Sequence, residues 1–241
     1  MRTLAIVFLG LASAFAALSA AGTTCVAWNA QAYGPFAVLA PLEWIFQSLV
    51  FANFAAAALG FFVTYALLKG KRWSYNSSLV ILAGFVVTAL VQMYYSSVQR
   101  QVSFFDTAPT NMRLYATLLV TLYFAIIRIP PIWNKVDLFP VSASTSSFRA
   151  PVGIMLLASG VLCGTVFFWA GPSHMIGNSS DLVFVAEIPI LLVTTLLVLL
   201  GSIALAPIRL ASLVQLVPPS LQRSLFLNQA SRTFAESSEP S

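Results

Sequence analysis

Residues 44–73 read WIFQSLVFANFAAAALGFFVTYALLKGKRW. From 44 to 68 no residue is charged, and then Lys69, Lys71 and Arg72 follow almost together. A helix rises about 1.5 Å per residue, so about 20 apolar residues cross a hydrocarbon core about 30 Å thick. This run is long enough. It is apolar on every side, so periodicity marks helix only weakly. Its solvent decides. A segment in hydrocarbon must satisfy its own backbone hydrogen bonds, and barrel strands would alternate polar with apolar residues, which this run does not.

Five further runs of the same kind lie at 4–21, 79–97, 114–133, 152–170 and 182–208. The segments between them suit connections: KGKRWSYNSS is short and polar, RQVSFFDTAPTNMR carries Pro109, and GPSHMIGNSSD carries two glycines and a proline. The expected fold class is all-α, a polytopic transmembrane bundle of six spans within one domain, 1–208. A tail at 209–241 begins with an amphipathic stretch able to lie on a membrane surface. It ends in AESSEPS, expected to be disordered.

Composition agrees. The chain of 241 residues is 59% hydrophobic and 8% charged, against about 25% charged in soluble domains. Its net charge of +5 reflects where the cations sit, and no nucleic-acid partner is expected. With the N-terminus in the cytoplasm, Arg2, Lys69, Lys71, Arg72, Arg128, Lys135 and Arg149 fall on the cytoplasmic side with the cations of the tail, leaving only Arg100 and Arg113 outside. Cytoplasmic loops carry such an excess. Lys69, Lys71, Arg72, Arg128 and Lys135 are therefore read as topology anchors and both termini as cytoplasmic; the compact chain and its plain tail suggest a prokaryotic plasma membrane as the host bilayer. Trp44, Tyr94, Tyr95, Tyr115 and Trp169 fall at outer ends of spans, and Tyr65, Trp73, Tyr75 and Trp133 at inner ends, where amphipathic rings are at home.

The first span has a second reading. Arg2, an apolar middle and Ser19-Ala20-Ala21 also resemble a secretory signal peptide. Cleavage would leave five spans.

Few residues point to chemistry. One histidine and two cysteines are too few for the usual zinc or bis-histidine haem sites, and no cofactor or metal is expected. No phosphate loop, HExxH or GxSxG is present. Glu187 lies about 9 Å into the predicted last span, at about 1.5 Å per residue. An acid at that depth is a functional candidate, or an interfacial acid paired with Arg113 or Arg100. Glu43 follows Pro41 in a predicted first turn, where both residue types suit a helix start. Glu43, Gln47, Gln92, Arg113, Asp181 and Glu187, with Asn53 and Asp106 nearby, make a candidate polar site opening outward. His174 is read as a loop residue. Gly160 and Gly164 form a GxxxG in the fifth span, and Ala56 and Gly60 a similar small face in the second; both suit close helix approach. Cys25, placed in an outer loop, and Cys163, deep in a span, are expected to remain free thiols.

No enzyme is favoured. The expected function is that of an accessory or structural membrane subunit acting through helix packing, with the bilayer and other membrane subunits as partners. The alternative is a small-solute or ion transporter, proton-coupled or not, built around Glu187 and Glu43.

Overall fold

A computed structural model describes residues 1–107, 109–135, 138–139, 145–169, 175–176, 180–181 and 186–206. Six helical segments among them are long and apolar enough to cross a membrane. The elements are α1 (Arg2–Asn29), α2 (Glu43–Leu68), α3 (Ser74–Arg100), α4 (Thr110–Ile127), the short α5 (Pro130–Trp133), α6 (Thr145–Gly164), the short α7 (Val166–Trp169) and α8 (Glu187–Leu205). A two-residue antiparallel pair, β1 (Met175–Ile176) with β2 (Ser180–Asp181), lies between α7 and α8. The chain is an all-α membrane-type bundle in which Met1–Leu205 forms one compact unit. The tail predicted at 209–241, together with His174, lies outside the described residues.

The first helix is the centre of the bundle. It packs most extensively along α2 and also meets α4 and α6. Its inward residues are small: Ala5, Ala12, Ser13, Ala16 and Ala20 are buried, so neighbouring backbones come close. Ile6 and Leu9 add bulk where Phe85, Phe124 and Ile127 meet them in the same core. Hydroxyls inside the helices are satisfied locally. Ser13 donates to the Leu9 carbonyl at 2.8 Å, Thr64 to Gly60 at 2.8 Å and Thr117 to Arg113 at 2.8 Å. Such i→i−4 bonds let Ser and Thr sit in apolar surroundings.

Glycine sets the other close contacts. A Cβ on Gly60 would strike the Ser13 hydroxyl and lie 3.3 Å from Phe85 Cζ. Along the α6–α8 contact, a Cβ on Gly160 would lie 2.9 Å from Val198 Cγ2, and one on Gly164 would lie 3.0 Å from Thr194 Cγ2. The GxxxG face thus meets α8 within the chain. Ala56 is partly buried against the central core.

One end of the bundle is basic. Arg2 Nη2 donates to the Leu68 carbonyl at 2.7 Å, satisfying a helix-terminal acceptor. The turn after α2 closes with Gly70 at φ 70°, its N–H on Leu67 O and that of Lys71 on Ala66 O, a pattern favoured by glycine's tolerance of left-handed backbone. The Arg128 guanidinium stands 4.7 Å from the Trp133 ring centre, and Lys69 Nζ stands 5.2 Å from that of Phe148. Lys69, Lys71, Arg72, Arg128 and Lys135 are all exposed there. Tyr75, expected in the interfacial belt, is instead buried and donates to the Phe124 carbonyl at 2.7 Å.

Several boundaries differ from expectation. The first helix runs on to Asn29, so Cys25 is helical and not in a loop. A 3₁₀ segment, Gly34–Leu42, follows and packs Phe36 and Leu39 inward. The fourth span ends at Ile127 rather than continuing to 133, because Pro130 and Pro131 start a new short helix. It also begins at Thr110, which moves Arg113 from the expected outer loop into the helix. The last helix begins at Glu187, placing this acid in the first turn and not two turns deep.

Candidate functional site

At the end opposite the basic turns, a cavity of about 260 Å³ opens between α1, α3, the 3₁₀ segment, α6 and the start of α8. Phe36 and Leu39 of the 3₁₀ segment cover it, and Phe15 and Leu18 of α1 line it. The sequence explains the cover. Pro35 and Pro41 bracket a run too short for another span, and its apolar side chains join Val26, Phe46 and Val50 in a second core cluster.

The wall is mostly apolar, with a polar cluster at Thr23, Gln92, Ser96 and Thr110. Gln92 is central. Its Nε2 donates to Thr23 Oγ1 at 3.0 Å, and its Oε1 accepts from Arg113 Nη2 at 3.4 Å. Thr23 in turn donates to the Ser19 carbonyl at 2.7 Å. Arg113 itself is 1% exposed, and its Nε and Nη1 meet no acceptor among the described residues. A buried guanidinium with one long hydrogen bond is a costly arrangement, worth several kcal/mol against the fold. Among the described residues that line it, none carries a carboxylate or an imidazole.

Comparison with protein-family models, curated proteins and solved structures returned no match. The site therefore rests on its own geometry.

The six residues of the candidate polar site fall into separate places. Gln92 and Arg113 meet, joined by Thr23. Glu43 and Gln47 turn to the end of α1: Glu43 Oε1 accepts the Ala30 N–H at 3.2 Å, and Gln47 Nε2 donates to the Ala27 carbonyl at 2.9 Å. They hold the 3₁₀ segment's root and do not line the cavity. Glu187 is exposed, although Ala186 and Ile190 on either side of it reach the cavity wall. Asp181 pairs with Met175 through the backbone, and its side chain lies outside the described residues. Among the described residues no ion pair joins Glu187 or Glu43 to an arginine. Arg100 donates to Ser96 Oγ at 3.4 Å and stands 4.5 Å from the Phe36 ring centre, steadying the cover. Asn53 accepts from Thr88 Oγ1 at 2.8 Å, away from the cavity.

Sequence reasoning passed over Thr23, Ser96, Thr110 and both cysteines as wall residues. Cys25 and Cys163 are free thiols on the same cavity. The signal for Thr23 was present in Thr23-Thr24-Cys25, a polar interruption just past the expected end of the first span. Nothing in the sequence marks Cys163 as lining the same cavity.

Proposed function

We propose that this protein is a multi-pass membrane protein that binds a small amphiphilic solute in the half of the bundle away from its basic turns. The carrying observation is the covered cavity, whose apolar wall holds one polar cluster at Gln92. A concave, mainly apolar site with a few placed polar groups is the usual form of a small-molecule site. At about 260 Å³ it is slightly smaller than the usual range, which begins near 300 Å³, and so suits a small ligand. Hydroxyls, an amide and thiols can orient a ligand. They supply no acid–base pair, which favours binding or transport over catalysis. The transport reading moves from Glu187 and Glu43 to Gln92 and its neighbours.

The two native cysteines allow a direct test. Protein purified in mild detergent is labelled with N-ethylmaleimide, with and without a panel of short-chain amphiphiles. Occupancy of the cavity slows modification of Cys163, which is buried on its wall. Labelling rates unmoved by every amphiphile, with bare chain alone in native mass spectra, would end this reading.

Orientation belongs to the same proposal. Arg2, Lys69, Lys71, Arg72, Arg128 and Lys135 gather at one end, while Glu43, Asp106 and Glu187 stand at the other. The positive-inside bias puts the basic end in the cytoplasm and the cavity end outside. A reporter fused in the Lys69–Arg72 turn tests the direction.

A second reading, that of an accessory subunit, has one observation behind it. The last helix meets the bundle chiefly through α6, and Ile188, Leu192, Leu196, Leu199 and Ile203 are exposed along it. Lipid covers such a face as readily as a partner helix does. A single monodisperse chain after mild-detergent purification would count against the subunit.

A further inference from the structure

We infer that the ligand of this cavity carries an anionic head, most simply a carboxylate, which Arg113 neutralises at the Gln92 end. The inference rests on the binding reading above and adds the charge of the ligand to it.

Three observations carry it. Arg113 is almost wholly buried, and two of its nitrogens lack acceptors among the described residues. A cation in apolar surroundings needs a counter-charge, and among the described residues none of the carboxylates supplies it. Gln92, which among the described residues is the side chain hydrogen-bonded to the guanidinium, is also part of the cavity wall. Its contact with Arg113 is 3.4 Å, near the outer limit for an N–H···O bond, so exchanging it for a charged acceptor loses little. Arg113 stands behind Gln92 and not on the wall itself, so the inference requires the Gln92 side chain to rotate aside when the ligand binds. The Thr23 hydroxyl, now bonded to Gln92, and the Thr110 hydroxyl, one turn before Arg113, lie at the same end. The apolar body of the ligand then rests on Phe15, Leu18, Phe36 and Leu39.

A carboxylate or phosphate reaches this position either on a free amphiphile or as the headgroup of an anionic lipid. The chemistry at Arg113 is the same for both, and the experiment separates them.

Full-length protein in dodecyl maltoside is titrated at neutral pH with decanoate and, separately, with 1-decanol, following the protection of Cys163 from N-ethylmaleimide. Decanoate is expected to bind at least about ten-fold more tightly, the effect of one charge-assisted hydrogen bond in a dry site. Arg113→Gln is expected to abolish that preference, so that the variant binds decanoate no more tightly than decanol. Should this variant fail to fold, the wild-type preference alone decides. Equal binding of the two probes by the wild type overturns the anion inference and leaves the binding reading standing. No protection by either probe overturns both. Vesicles of phosphatidylcholine, with and without phosphatidylglycerol, supply the last arm: protection by phosphatidylglycerol identifies the lipid as the source, and protection by decanoate alone identifies a free acid.

Discussion

Arg113 Nη2 reaches Gln92 Oε1 at 3.4 Å, and Nε and Nη1 of the same guanidinium, though buried, meet no acceptor among the described residues. This pair sets binding against stability. Arg113→Met replaces a poorly compensated charge with an apolar side chain of similar length. It is expected to leave the ligand-free protein as stable as before, or more stable by about 1–4 kcal/mol. Gln92→Leu acts the other way. It strips the last acceptor from the guanidinium and is expected to cost about 1–3 kcal/mol. Thermal midpoints in detergent separate the two; a large loss of stability in Arg113→Met would show that the charge is well compensated.

Gly60 of α2 faces Ser13 of α1. A methyl group there would strike the Ser13 hydroxyl and lie 3.1 Å from Ser13 Cβ. Gly60→Ala is expected to destabilise by about 1–3 kcal/mol. Ser13→Ala removes the hydroxyl clash and gives up only a bond to its own helix, while the contacts at 3.1 Å to the Cβ of residue 13 and 3.3 Å to Phe85 Cζ stay tight, so the double variant recovers part of the loss. A double-mutant cycle reads this coupling, and additive effects would show that the two helices sit farther apart.

Gly160 meets Val198 within the same chain. Gly160→Ile is expected to lower the thermal midpoint, by the equivalent of about 1–3 kcal/mol, without altering the oligomeric state in detergent. Dissociation of an oligomer on this substitution would place the glycine face between chains.

The first helix is a structural member of the bundle. Ala5, Ile6, Leu9, Ala12 and Ala16 belong to the main core, and Phe15, Leu18 and Ser19 line the cavity. Cleavage after the Ser19-Ala20-Ala21 run would remove all of them. Intact-mass measurement of protein purified from membranes is expected to show residues 1–21 retained; a product beginning near Gly22 would remove the centre of this fold.

Tyr33, between the first two spans, is held protonated. Burial, and then the neighbouring Cys25 thiol, push its phenol up to about 12, against about 10 for an ordinary tyrosine. A raised folded-state value means that the neutral phenol's contribution to stability is complete below about pH 10. It is lost as pH rises through about 12. Ultraviolet titration is expected to show a late tyrosinate component that Tyr33→Phe removes. Identical titration curves for the two proteins would contradict the burial.

The candidate site was only partly legible. Gln92 and Arg113 stood out as polar residues at or near apolar spans, and the fold brings them into contact. Glu187 attracted notice because its span was expected to begin earlier; with α8 starting at Glu187, the acid is an exposed first-turn residue. Glu43 was expected at a helix start and is there, yet its carboxylate also ties down Ala30, thirteen positions back in the chain. No local pattern encodes that contact. The cover at Gly34–Leu42 was equally hidden, because proline and glycine read as connection whether a segment runs over the surface or folds inward.

The six long apolar segments, the helical class and the gathering of cations in alternate connections were all readable from residue order. Hydrocarbon imposes those rules one segment at a time: length, internal hydrogen bonding and the position of charge suffice. Which polar residues meet depends on rotation about each helix axis and on the distance between neighbouring axes. Packing of small residues such as Gly60 and Ser13 sets both, and only the assembled bundle could turn Arg113 inward against Gln92.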